Sequence, residues 1–172
     1  MAQRRFTARL LGLDEQELRV NYICRLCGPR PETDHGMPGY RVAGRPAPIL
    51  LSLSRCGGWA VLAGIVSPEP GERLGIDVEN PAAVGFAGFD DVALTHRERR
   101  QVAGMHADLR QQLRAQLWCR KEALLKAVGS GLTTRPDTVD LLDDQRVADL
   151  STRALGLPAH LVAAVARFFV TV

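Results

Sequence analysis

The sequence predicts a mixed α+β domain in which helices and strands run in blocks rather than in strict β-α-β alternation. Three observations carry that prediction. Residues 49–55 and 59–66, I-L-L-S-L-S-R and W-A-V-L-A-G-I-V, are apolar runs parted by Cys56-Gly57-Gly58, the pattern of a hairpin. Residues 106–128 repeat apolar side chains at helical spacing: Leu113, Leu117, Leu124 and Val128 fall in one sector at about 100° per residue. Residues 160–172 run into V-A-A-V-A-R-F-F-V-T-V, a final core strand. The predicted order is helix, strand pair, strand, helix, strands, and 172 residues are enough for one core and one domain.

Each element follows from local chemistry. Residues 1–20 start basic, with Arg4, Arg5 and Arg9, then place Leu10, Leu11, Leu13 and Leu18 at loosely helical spacing around Asp14, a capping residue type, so a short helix is expected. The basic start reads as a solvated chain end or as a contact for a phosphate or an acidic protein partner. Residues 21–48 are rich in Gly and Pro and read as irregular. Within them Cys24, Cys27 and His35 invite a zinc reading, but a second C-x-x-C or H-x-H pair is missing and Cys56 could complete a set only by folding back. Buried or free thiols are the plainer reading.

Residues 67–73 make a surface loop and 74–79, L-G-I-D-V-E, the next strand. Residues 80–93, with Phe86 and Phe89, show no period and read as loop. Thr95 and Glu98 form a capping box that opens a helix to about Gly104. A hairpin is expected around Asp143-Asp144, between Leu141-Leu142 and 147–150. His96, His106 and His160 lack identifiable partners in the sequence.

Composition narrows the function. Hydrophobic content of 46% and charge of 24% are ordinary for a globular protein, and the net charge of +3 suits an anionic substrate or acidic partner while arguing against nucleic acid. No apolar run is long enough to span a bilayer and the start carries no secretion signal. A cytoplasmic location and no disulfide framework for Cys24, Cys27, Cys56 and Cys119 are therefore expected.

Two stretches carry chemistry. In the 74–79 strand, alternation puts Asp77 and Glu79 on one face, with Cα atoms roughly 6.6 Å apart. Two carboxylates so placed can converge on a hard cation, Mg2+ or Mn2+, which relieves their repulsion. Residues 118–131, W-C-R-K-E-A-L-L-K-A-V-G-S-G, add Glu122 and Lys126 at the border of the buried sector, with Lys121 as a second cation and Gly129 and Gly131 to end the helix. A solvated strand end and a surface Glu–Lys pair would explain each stretch taken alone.

Together they resemble a known family. Residues 75–79 match G-[IV]-D-[IV]-E, and 118–132 match W-x-x-K-E-[AS]-x-x-K-x-x-G-x-G-L, the paired motifs of the Sfp-type 4′-phosphopantetheinyl transferases. The resemblance runs from roughly residue 35 to the C-terminus. It implies that family's α+β fold, with two similar helix-on-sheet halves related by a pseudo-twofold. Residues 1–73 would form a shortened N-terminal half and 74–172 the half with the metal-site motifs. Shorter relatives, the holo-acyl-carrier-protein synthases, reach the same geometry with separate subunits in a trimer; a monomer is expected here.

The implied activity is Mg-dependent transfer of phosphopantetheine from coenzyme A to a serine of an acyl or peptidyl carrier protein, releasing 3′,5′-ADP. The resemblance carries metal binding to Asp77, Glu79 and Glu122, a site-lining Glu to the neighbourhood of Glu98, and phosphate contacts to Lys121 and Lys126. Glu122 would also be the candidate base, acting directly or through a metal-bound water. Gly36-Met37-Pro38 would be the turn that holds the adenine end of coenzyme A, with Met37 in a place where many members have Lys. S-L-S-R-C-G-G-W would put Ser54 and Arg55 against the nucleotide 3′-phosphate, with Arg55 where many have His. Arg4, Arg5, Arg25 and Arg30 would substitute for basic residues of the shortened half. Two other readings stay open at this point: a degenerate member that binds coenzyme A or a carrier protein without transfer, and a zinc-binding interaction module on Cys24, Cys27 and His35.

Overall fold

The computed structural model describes residues 2–24, 27–28 and 35–171. Helix α1, Ala2–Leu11, ends before the leucine pattern does. Asp14 caps instead a short 3-10 turn at Glu15–Glu17, in a capping box with Glu17. Leu18, fully buried, then packs with Ala8, Tyr40, Ile49 and Leu51.

β1 (Arg19–Val20), at the end of the stretch read as helical, forms a small antiparallel sheet with β2 (Tyr40–Val42) and β3 (Arg45–Pro46), both in the stretch expected to be irregular. Strands this short leave no alternation to read. The predicted hairpin is present as β4 (Ile49–Cys56) and β5 (Trp59–Val66), in register Cys56↔Trp59. Gly57 and Gly58 form its turn with φ of 56° and 82°, a backbone that favours glycine at both positions.

Strand β6 (Glu72–Glu79) starts earlier than expected, because Glu72 is buried and accepts an ion pair from Arg167 Nη2 at 2.8 Å. The segment 80–93 is not plain loop. Asn80 caps a 3-10 turn at Pro81–Val84, and Phe89–Ala93 forms α2, too short to show a period. Helix α3 (His96–Gly104) opens on the Thr95–Glu98 capping box as expected. Helix α4 spans Ala107–Val128, and Leu117 and Leu124 are buried as the predicted sector requires. Ala115, Cys119, Lys121, Ala123, Leu125 and Ala127 are buried as well, so the helix is covered over much more than one sector.

The expected hairpin at Asp143-Asp144 does not form. Leu141 and Leu142 lie outside any strand; the Leu141 amide donates to the buried Glu98 carboxylate at 3.0 Å. Instead β7 (Val147–Leu150) pairs with β8 (Val162–Phe169), and β8 pairs with β6, giving the antiparallel order β6-β8-β7.

Helix α4 lies on one face of this sheet, over the fully buried Ala164 and Ala166 of β8. The other face presents Ile76 and Val78 to Val61, Leu157 and Leu161. β4 runs beside β6, where the Ile76 amide donates to Ser52 Oγ at 3.0 Å. Two helix-on-sheet units, α1 on β4–β5 and α4 on β6-β8-β7, thus meet along β4 and β6. No helix among the described residues is long and apolar enough to cross a membrane.

Candidate active site

The site forms where β6 faces α4. Alternation along β6 puts Gly75, Asp77 and Glu79 on the helix side. The helix can approach because Gly75 has no side chain: a Cβ there would lie 1.9 Å from the Ala123 carbonyl oxygen and 2.7 Å from the Ala127 nitrogen. Ala123 and Ala127 occupy the contact, and Glu122 and Lys126, one turn apart, stand beside it.

Lys126 Nζ donates to Asp77 Oδ1 at 2.5 Å, and Ser54 Oγ, from the end of β4, donates to the same oxygen at 2.6 Å. Asp77 is only 2% exposed, and its other oxygen, Oδ2, is buried with no hydrogen-bond partner among the described residues. An unsatisfied oxygen in the interior is costly, so Oδ2 is a candidate ligand for a cation.

Glu79 accepts from the Trp118 indole Nε1 at 3.2 Å. Burial and then the charge of Asp77 push its carboxyl up to about 7, with Glu122 adding to the rise while Trp118 and Lys126 oppose it. Burial and Asp77 likewise raise the Glu122 carboxyl. Cys119 lies beneath, donating to the Val162 carbonyl at 3.7 Å, and burial followed by the neighbouring Asp77 keeps it a thiol.

The three carboxylates share the site without closing on one point. Among the described residues, Cys24, Cys27 and His35 are the one group of three metal-capable side chains whose ligand atoms all lie within 4.8 Å of one another. Like charges repel, and the single ammonium draws Asp77 to itself. As a donor set, hard carboxylate oxygens with one orphaned in the interior fit a hard divalent ion such as Mg2+ or Mn2+.

The turn expected at 36–38 does reach this place. Met37 exchanges two backbone hydrogen bonds with Ile23, each 2.9 Å. Gly36, Met37 and Pro38 wall a pocket of about 200 Å³ together with Ser52, Lys126 and Gly129. Gly129 ends α4, and a Cβ on it would come 2.7 Å from Met37 Sδ, so the thioether seals the turn onto the helix end. The pocket therefore joins the predicted nucleotide turn to the predicted site lysine.

Three expectations need correction. Lys121 does not reach the site: it is 0% exposed, its ammonium pairs with the equally buried Glu98 at 2.6 Å, and it donates to the Pro136 carbonyl at 2.7 Å. Glu98 is thereby occupied as cap and counter-ion, and takes no part in the acidic cluster. Ser54 turns its hydroxyl inward to Asp77 instead of outward to a phosphate, while Arg55, exposed, points to the opposite side of the strand. Arg5 pairs with Glu15 at 3.2 Å; Arg25 and Arg30 lie outside the described residues.

Sequence reasoning missed the Ser54–Asp77 and Trp118–Glu79 bonds and the buried Lys121–Glu98 pair. Helical angle was the available signal for the last: Lys121 stands about 100° from Glu122, next to the apolar sector.

Residues 73–164, more than half of the chain, match the family model described as the 4′-phosphopantetheinyl transferase superfamily. No curated protein matches the sequence. Among solved structures the chain is similar to a holo-(acyl-carrier-protein) synthase from Bacillus anthracis in complex with CoA (3′,5′-ADP), at 18% identity over 58% of this chain and 96% of that one, with a TM-score of 0.48. It is also similar to the holo-[acyl-carrier-protein] synthase of Thermotoga maritima, at 21% identity over 55% of this chain and 61% of that one, with a TM-score of 0.44.

Proposed function

The chain belongs to the 4′-phosphopantetheinyl transferase superfamily, and from that premise we propose that it moves the phosphopantetheine group of coenzyme A to a serine of an acyl or peptidyl carrier protein. The observation that carries this reading is the junction of β6 and α4. Three carboxylates and one lysine meet there beside a pocket walled by the 36–38 turn.

In this reading Asp77, Glu79 and Glu122 would hold Mg2+, with Mn2+ as a substitute. When bound, that ion supplies positive charge to the diphosphate oxygens. Lys126 supplies a cation of the protein's own, turning from Asp77 toward the leaving phosphate as charge builds there. Ser54 keeps Asp77 oriented through its hydroxyl.

Glu122, whose carboxyl is raised by burial, is the base that takes the proton of the incoming serine hydroxyl. The serine oxygen forms the new bond to the β-phosphorus, the bond to the bridging oxygen breaks, and 3′,5′-ADP leaves. The backbone of Gly36–Pro38 offers a tight turn to the adenine.

Mass spectrometry of an apo carrier protein incubated with coenzyme A, Mg2+ and the protein tests this. The expected result is a phosphopantetheine mass gain that chelation abolishes, and that Asp77→Ala and Glu122→Ala abolish with circular dichroism unchanged. No gain across carriers of fatty acid, polyketide and peptide assembly would sink the reading.

The spread of the carboxylates and the ammonium on Asp77 favour a second reading, binding of coenzyme A without transfer. Calorimetric coenzyme A binding with no mass gain on any carrier would select it.

A further inference from the structure

We propose that Cys24, Cys27 and His35 bind one zinc ion, and that this ion clips the 36–38 turn in place. The site is separate from the acidic cluster and the inference does not depend on the transfer reaction.

Geometry carries it first. The ligand atoms of the three residues all lie within 4.8 Å of one another, and Cys27 Sγ stands 3.3 Å from His35 Nε2. A tetrahedral zinc with Zn–S of about 2.3 Å and Zn–N of about 2.0–2.1 Å holds a sulfur and a nitrogen about 3.6 Å apart. The pair is thus already near the spacing that a shared ion would set.

Residues 24–28 read C-R-L-C-G, and the Gly28 amide donates to the Cys24 carbonyl at 2.9 Å. Gly28 takes a φ of 69°, a conformation that L side chains rarely adopt. The Cys27 amide points at Cys24 Sγ from 3.5 Å. Two thiolates and an imidazole are a soft and borderline donor set that selects zinc over the hard ions suited to carboxylates.

Sequence reasoning kept zinc as the lesser reading because a second ligand pair is missing. The structure strengthens it by placing His35 beside Cys27. Just beyond the cluster the chain closes on itself: Ile23 and Met37 pair, and a Cβ on Gly36 would lie 2.5 Å from the Ile23 oxygen. The Ile23–Met37 pairing is thus joined, in this proposal, by a second tie through the metal. Since His35 directly precedes Gly36, an ion held there fixes the start of the turn that walls the pocket at the end of α4.

The test uses the full chain purified under reducing conditions without added chelator. Elemental analysis should find about one zinc per chain. Replacement by Co2+ should give the thiolate-to-cobalt charge-transfer band. Cys24→Ser and Cys27→Ser should lose both signals, His35→Ala should weaken binding, and Cys56→Ser should keep both. As the cysteine variants could unfold, the wild-type protein provides a second measure. Chelation followed by zinc titration should slow amide exchange at 36–38 reversibly, with no change in far-ultraviolet circular dichroism.

Failure to bind zinc on titration at micromolar concentration would overturn the proposal. So would zinc retained by both cysteine-to-serine variants, or isolation of Cys24 and Cys27 as a disulfide under the same conditions. None of these results touches the carrier-modification assay, so the two readings fail separately.

Discussion

Lys121 and Lys126 share a helix, and their surroundings give them opposite work. Lys121 and Glu98 are both sealed from water, and burial lowers the lysine's pKa against the pull of Glu98. Removing one partner leaves a buried charge, so Lys121→Met should cost about 3–5 kcal/mol of stability, read as a fall in the urea midpoint. Adding Glu98→Gln should restore part of it. Lys126→Ala should abolish transfer instead. Position within the motif made the two lysines look alike, and only the angle round the helix separated them.

Glu79 gives the second prediction at this scale. Its carboxyl rises from 4.5 to about 7 on folding, so the folded state holds that proton more tightly than the unfolded chain. The associated stability is complete below about 4.5 and is lost as pH climbs through about 7. In chelator-containing buffer the melting temperature should therefore fall from pH 5 to pH 8, and Glu79→Gln should flatten the slope. An equal slope in the variant would contradict the assignment.

Among the elements, β6 and α4 fix the site through one missing side chain. A methyl group at Gly75 would drive into the backbone of α4 at Ala123, and backbone yields less readily than a flexible side chain. Gly75→Ala should destabilise by at least the upper part of the about 1–3 kcal/mol range for overpacking, and should depress transfer by parting Asp77 from Lys126. Chemical denaturation and the carrier assay read the two effects. The glycine stood in the recognised motif, but its reason lay in the partner helix, which a strand read alone does not contain. Long elements were legible for a physical cause: β4, β5, α4 and β8 run long enough for a period to show. β1, β2, β3 and α2 are two to five residues each and are held by neighbours rather than by their own pattern. The 141–150 hairpin is absent: 147–150 pairs with β8, and the Leu141 amide is taken by Glu98, both distant in sequence.

Across the whole molecule the site depends on both helix-on-sheet units. β4 contributes Ser54, β6 the pair of acids, α4 the third acid and the lysine, and the loop after β1 the 36–38 turn. Coenzyme A with Mg2+ should therefore slow amide exchange at 36–38, at the end of β4 and in the last turn of α4 together. Protection confined to one unit would contradict a shared site. The family motifs made the acids and Lys126 legible in the sequence. That Ser54 braces Asp77 and that Met37 seals Gly129 are facts of assembly, since each joins segments far apart in the chain.

The bond from Trp118 to Glu79 has a practical outcome. The chain has two tryptophans, and the other, Trp59, sits exposed at the tip of a hairpin. With Trp59→Phe, the remaining indole is a built-in optical gauge of the acid it touches. Its emission should shift when Glu79 gains or loses a proton and again when a cation takes that oxygen, so occupancy could be followed by light without any label.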